Sequence, residues 1–337
     1  MRTYQGTGFA LPTASLTGSQ VSAVRQPRGV STPLFFNFFQ NRYEMQKGPL
    51  TNHLLTHDST FFQKKAIFCE KGEASKVVLI EYLWYNCVEV KNLKALILAA
   101  GYAMRLYPLT KDTPKALLPI GGRKMIDFLM DQICAVPEID ETVIVTNHRF
   151  ASQFEAWAAE QTSNMRYTVL DDGTTCNDNR IGAIGDMQFA IEQAKLDDDL
   201  LVAASDNLFT FSLNGFVDFW RKNQCDCIAA KPEPDVETCK RFAIATLDED
   251  GRVVGLVEKP QNPPGDLAVY ALYLYRKDTL PLIGTYLKEG NEPDSPGHFP
   301  EWLYRRKPVK AYIFDGECID IGTHATYEQV CREWAKK

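Results

Sequence analysis

The chain has 337 residues, 45% hydrophobic and 24% charged, enough to bury a sizeable core in one or two globular domains. A net charge of -6 argues against a dedicated nucleic-acid binder, which would carry a basic face, so any anionic ligand needs locally placed cations. Nine cysteines, with no CxxC pair, suit ordinary thiols in a reducing compartment, and Cys225 and Cys227 lack the second pair of a zinc site. With no leader-like N-terminus and no run of ~20 apolar residues, a cytoplasmic protein with no membrane partner is expected.

Residues 1–93 hold ten basic and six acidic side chains, a charge of +4, which leaves -10 for residues 94–337. The first forty residues are rich in Ser, Thr, Gly and Gln without a period of 2 or 3.6. "VVLIEYLWYNCVEV" at 77–90 reads as a strand or a short helix without a supporting pattern. An extension over 1–93, disordered or arising from a misassigned start, is expected in preference to a small extra domain, and the catalytic domain is expected over 94–335.

From Leu93 the chain becomes regular. Short apolar runs at 95–99, 142–146, 167–170 and 200–204 predict strands buried on both faces. Apolar groups at 125, 126, 129, 130 and 133 predict a helix over 124–135, and further helices are expected over 151–160 and 183–195. Alternating strands and helices predict an α/β fold, a mostly parallel mixed sheet whose ligands sit at the strands' carboxyl ends. The second half is richer in β signals, at 241–246, 252–257, 268–275 and 309–314, with "DEDG" at 248–251 as a hairpin turn.

The run "LILAAGYAMRLYPLTKDTPKALLPIGG" at 96–122 leaves a buried strand through Gly101 and places Arg105 and Lys115 on a proline-punctuated loop. It is neither a P-loop nor a GxGxxG fingerprint. A glycine after a buried strand lets backbone N–H groups approach a phosphate or base; Arg105 offers a planar fork and Lys115 a mobile point charge. A solvated basic loop is the plainer alternative.

Residues 101–119 resemble the signature of the sugar-1-phosphate nucleotidylyltransferases, G-x-G-T-R-L-x-P-L-T followed by P-K-x-L-L-P, with Ala103 and Met104 in place of the usual Gly-Thr. Later segments fit in the same order: "LLVAASDNLF" ending at Asp206, "GLVEKP" at 255–260 and "ECIDIGTHATY" at 317–327. The resemblance implies a three-layer α/β/α, Rossmann-like nucleotide-diphospho-sugar transferase fold. It implies a reaction in which a sugar 1-phosphate attacks the α-phosphorus of a nucleoside triphosphate and pyrophosphate leaves. It assigns Arg105 and Lys115 to catalysis, Leu98, Ala99, Ala100 and Gly101 to the nucleotide, Glu258 and Lys259 to the acceptor, and Asp206 with Asp320 to Mg²⁺.

Gly182 in "RIGA" looks like the counterpart of the family's base-contacting glycine, although Gly182 and Gly185 equally suit packing. Glucose 1-phosphate with dTTP or UTP is the default substrate pair; a cytidylyltransferase acting on phosphocholine and a non-catalytic nucleotide-binding paralogue are the alternatives. The chain ends soon after the expected catalytic domain, which argues against an appended hexapeptide-repeat domain. A homo-oligomer is left open. His148 and His324 read as surface groups, and Tyr270, Tyr273, Tyr275, Phe299 and Trp302 read as core before they read as sugar contacts.

Overall fold

The computed structural model describes residues 93–334, without the side chain of Asp320, and the backbone of residues 54–56 and 65–67. The chain divides into two units, 1–84 and 85–337. Within the first, Leu54–Thr56 pairs antiparallel with Lys65–Ile67. The other expectations for 1–93, including 77–90, lie outside the described residues up to Leu93.

The second unit is built on one nine-stranded sheet. In chain order its parts are β1 (Leu93–Leu98), α1 (Met125–Cys134), β2 (Ile139–Thr146), α2 (Ala151–Ala159), β3 (Arg166–Asp171), α3 (Ala183–Gln193) and β4 (Asp199–Ala204). A short β5 (Asn207–Phe209) leaves the main sheet, followed by α4 (Leu213–Asn223), β6 (Asp226–Pro232), β7 (Ala243–Leu247), β8 (Val253–Glu258) and β9 (Leu267–Tyr275). The chain closes with α5 (Leu280–Lys288), α6 (His298–Leu303), β10 (Val309–Ile313), β11 (Cys318–Asp320) and α7 (His324–Trp334).

Strands β3, β2, β1 and β4 lie side by side and parallel. Strand β9 pairs antiparallel with β4, β6 and β7, β7 pairs antiparallel with β8, and β6 pairs parallel with β10. Tracing these pairings, only β9 and β8 run against the rest, which is the expected mostly parallel mixed sheet.

The layers follow from the two-residue period of the strands. On β1, Ala95 and Ile97 face one core while Leu96 faces the other, and on β4 Leu201 and Ala203 oppose Leu200 and Val202. The first face is covered by α1, α2 and α4 through Ile126, Leu129, Phe154, Trp157 and Phe216. The second is covered by α3, α5 and α6 through Ile184, Met187, Ile283, Tyr286 and Phe299. Each helix brings an apolar stripe to a sheet with no polar face, so both sides must be covered. A third, smaller cluster joins Ile120, Met125, Leu208, Ile321 and Val330, which seats α7 beside the loop after β1.

The DEDG turn forms as expected. Asp248 N–H donates to Arg252 C=O, the Asp248 carboxylate accepts from the Asp250 and Arg252 amides, and Gly251 takes φ 75°. Sequence patterning missed β6, "DCIAAKP", and the five α-helices described from Leu213 onward, among them the short Val236–Cys239. Strand β6 is a buried apolar run too short to tell from a helix by period alone.

Candidate active site

The carboxyl ends of β1, β2 and β4 meet at the signature loop. Leu98 C=O accepts from Ser205 N–H at 3.0 Å, Ala99 N–H donates to Val145 C=O at 2.9 Å, and Ala100 C=O accepts from the buried Asn147 amide at 2.9 Å. Among the described residues the amides of Ala100 and Gly101 donate to no other group, and a Cβ built on Gly101 would meet nothing within 4 Å. The strand end is thus anchored by its carbonyls, with open backbone donors at its tip.

Beyond it, Ala103 sits in the left-handed region at φ 46°, ψ 43°, and starts the turn Met104–Leu106 that carries Arg105. Its carbonyl accepts from Leu106 N–H at 2.9 Å and from the buried Thr110 hydroxyl at 2.8 Å. The threonine of R-L-x-P-L-T therefore pins the turn that presents the arginine. Arg105 is exposed and has no ion-pair partner among the described residues. On the far side of the loop Tyr107 C=O is hydrogen-bonded to His324 Nε2 at 2.8 Å, and Pro119 C=O accepts from Tyr327 Oη at 2.7 Å. Both partners lie on α7, so the C-terminal motif braces the loop at two points.

Lys115 Nζ lies 2.6 Å from Asp206 Oδ2, across 91 residues of sequence. The lysine side chain is 11% exposed and the aspartate 32%, so the pair is partly screened from water yet open on the carboxylate side. Strand β11 pairs with β5 so that Asp320 stands opposite Asn207, the neighbour of Asp206. Asp206 and Asp320 are thus close in backbone register, and aspartate is a residue type whose hard oxygens a hydrated divalent cation such as Mg²⁺ prefers.

Next to this loop, β3 and α3 build the flank that carries Gly182. Gly182 has φ 82°, and a Cβ there would stand 2.6 Å from Pro293 O. The amides of Ala183 and Ile184 donate to Asp294 C=O at 3.2 Å and Pro293 C=O at 2.9 Å. Close packing against 293–294 thus accounts for the glycine, and the first two donors of α3 are already engaged. Arg180 clasps the Asp294 carboxylate with Nε and Nη2 at 2.9 and 3.0 Å.

Under this end, Asp186 on α3 is buried beside Asp172. Burial, then the nearby Asp172 charge and a hydrogen bond to it, push the Asp186 carboxyl up to about 8. Among the described residues, Oδ1 of Asp186 and Oδ2 of Asp172 have no donor from any other group. A proton held by Asp186 and given to Asp172 satisfies both oxygens.

Glu258 and Lys259 sit at the same end of the sheet. Strand β9 carries Leu272 opposite Ala203 and Val269 opposite Ala243, and Ala243 in turn faces Glu258. Glu258 therefore stands just past the carboxyl end of β4, the end from which Asp206 projects. Its side chain is 6% exposed. Burial raises its pKa, with Lys259 and His298 acting in the opposite direction. Lys259 takes φ 45°, a strained conformation for a residue with a Cβ, and its Nζ lies 3.4 Å from Glu258 and 2.5 Å from Ser295 Oγ.

The segment "PDSPGH" was not singled out by sequence for this role, yet it supplies Ser295, Gly297 and His298 around Glu258–Lys259. The Pro296-Gly297 pair between two helices is a turn signal only, with no mark of its tertiary neighbours. Tyr270, Tyr273, Tyr275, Phe299 and Trp302 are all buried in the cores. His148 pairs with Asp171 at 2.7 Å on the surface, whereas His324 joins the signature loop.

Fold and site together define a Rossmann-like α/β/α scaffold with a cation-bearing loop after its first strand. The model of the nucleotidyl transferase family matches residues 94–337, and the chain belongs to this family. It is 28% identical over 251 residues to a glucose-1-phosphate adenylyltransferase of Geobacillus stearothermophilus, covering 69% of this chain and 63% of that protein. It is 26% identical over 250 residues to the enzyme of that name from Clostridium acetobutylicum, covering 69% and 64%. The chain thus spans less than two thirds of the length of these curated relatives. In fold it is similar to a UDP-glucose pyrophosphorylase solved with UDP-glucose, at a TM-score of 0.61 and 22% identity over 72% of this chain and 98% of that one.

Proposed function

We propose that this chain transfers a nucleotidyl group from a nucleoside triphosphate to a sugar 1-phosphate and releases pyrophosphate, with glucose 1-phosphate and dTTP or UTP as the first pair to test. The observation that carries this reading is the convergence of Lys115–Asp206 and Glu258–Lys259 at one end of the sheet, from three separate segments. An oxygen of the acceptor phosphate attacks the α-phosphorus, and the bond from that phosphorus to the bridging oxygen of the leaving pyrophosphate breaks. Two polyanions must be brought together, so positioning and charge stabilisation dominate.

The exposed Arg105 grips the β- and γ-phosphates, and the amides of Ala100 and Gly101 face the nucleotide. Lys115 neutralises charge near the reacting phosphorus while Asp206 keeps its ammonium in place. Lys259 takes the acceptor's phosphate, and Glu258 accepts from its hydroxyls. Asp206 and Asp320 would hold Mg²⁺, which when bound supplies positive charge to the phosphate oxygens.

The test is a pyrophosphate-release screen of all common nucleoside triphosphates against glucose 1-phosphate, other sugar 1-phosphates and phosphocholine. At least one sugar 1-phosphate pair should turn over in Mg²⁺, and Asp206→Asn should lower kcat for it by about 10²-fold or more while the circular dichroism spectrum is unchanged. Turnover with phosphocholine alone, or with no pair, would overturn the reading.

A further inference from the structure

From the backbone of residues 293–298 we infer that this segment is a positioning strap, in which Ser295 fixes the acceptor-side Lys259 while Pro293–Asp294 is itself fixed by the nucleotide-side Gly182 and α3. The identification of Lys259 as the acceptor's phosphate grip rests on the function proposed above; the strap itself rests on geometry alone.

At its start the strap is bound to the nucleotide side by three independent contacts. Its carbonyls at 293 and 294 take the first two amides of α3, Arg180 forms a two-toothed ion pair with Asp294, and its backbone packs onto the Cα of Gly182. One residue later Ser295 is buried, and its hydroxyl accepts from Lys259 Nζ at 2.5 Å. Its carbonyl accepts from His298 N–H at 3.2 Å. Gly297 then lies flat against Glu258, whose Oε2 would overlap any Cβ placed there. His298 Nδ1 contacts Glu301 Oε2 at 3.2 Å, and that same oxygen accepts from the Glu258 amide at 3.4 Å.

A lysine on four rotatable bonds loses its precision unless something holds the ammonium. Here a buried hydroxyl, one residue from the contact made by the nucleotide-side glycine, holds it together with the Glu258 carboxylate at 3.4 Å. A methyl group at 182 has nowhere to go but into Pro293 and Asp294, both backbone, so the strap must move and Ser295 with it. Nucleotide-side substitutions therefore reach the acceptor cation through three residues of chain, 293–295.

The readout is the rate at which acetic anhydride modifies Lys259 in the full-length protein at fixed pH without substrates, measured by peptide mass mapping. Ser295→Ala should raise that rate by about 5-fold through loss of one hydrogen bond, and Ser295→Thr, which keeps the hydroxyl, should restore it. Gly182→Ala should raise it comparably. Should that variant not fold, Arg180→Ala, which loosens the strap at an exposed ion pair, should still give a rise of about 2-fold.

Wild-type labelling of Lys259 in Ser295→Ala, or in every folded nucleotide-side variant, would overturn the strap. With an active substrate pair in hand, Ser295→Ala should also raise the acceptor KM by about 5-fold and leave the triphosphate KM unchanged. A labelling change without that KM change would preserve the strap and refute the assignment of Lys259 to the acceptor.

Discussion

Ala103 is a case in which one side chain departs from what its backbone asks for. An alanine at φ 46° costs about 1–2 kcal/mol relative to a right-handed conformation, because its Cβ crowds the following carbonyl. Thr110 and Leu106 hold it there, and the turn they close presents Arg105. Ala103→Gly removes the clash but adds freedom to the unfolded chain worth about 0.4–1 kcal/mol. The expected outcome is a stabilisation of about 0.5–1 kcal/mol in urea denaturation, and a destabilised variant would show that the Cβ makes a compensating contact. At the same scale, Lys115 and Asp206 were each named by sequence, but their ion pair was not. A lysine and an aspartate 91 residues apart carry no mark of meeting until the strands that bear them are paired.

Among the elements, α3 shows how a helix start is settled by tertiary neighbours. Its apolar run and leading glycine are readable, and both a base contact and close packing were consistent with them; the collision with Pro293 supplies a packing reason for the glycine. The same helix carries Asp186 into a buried position against Asp172. Its folded pKa of about 8 lies above the ordinary 3.8, so this carboxyl costs nothing below the unfolded value. Stability is lost progressively as pH rises between the two values, with the loss complete above about 8.

Asp186→Asn cannot ionise and still offers an N–H to Asp172. Urea midpoints at pH 5 and pH 9 should therefore diverge less for Asp186→Asn than for the wild type, with the variant the more stable at pH 9. Equal divergence in the two proteins would mean that Asp186 is ionised throughout. Helix α7 makes a related point about motifs: Tyr327 of the D-x-G-T element belongs to the site because its hydroxyl braces Pro119. His324, read from sequence as a surface group, braces Tyr107.

At the scale of the molecule, every sheet strand of the second unit and every candidate site residue lies within 85–337. We propose that residues 1–84 are dispensable for this unit. A chain comprising residues 85–337 should be soluble, melt cooperatively within a few degrees of the full chain and retain its turnover. Insolubility or loss of activity would assign the N-terminal residues a part in the fold or the site.

Much of this unit was legible because its signals are local. Strands at 93–98, 139–146, 166–171 and 199–204 announce themselves by apolar runs that need no partner to be recognised. The loop cations, the strand-end aspartate and the Glu–Lys–Pro element are likewise short, ordered spellings. Sequence by itself thus determined the fold class, the end of the sheet at which the motif residues gather and the residue types assembled there.

Only the tertiary structure decided which of them touch. The split pairing of β9 with both β4 and β7 brings Glu258 past the end of β4, and the strap at 293–298 closes on Lys259. Such contacts are set by strand register and loop path over separations of tens of residues, and a one-dimensional pattern does not encode them until the core has packed.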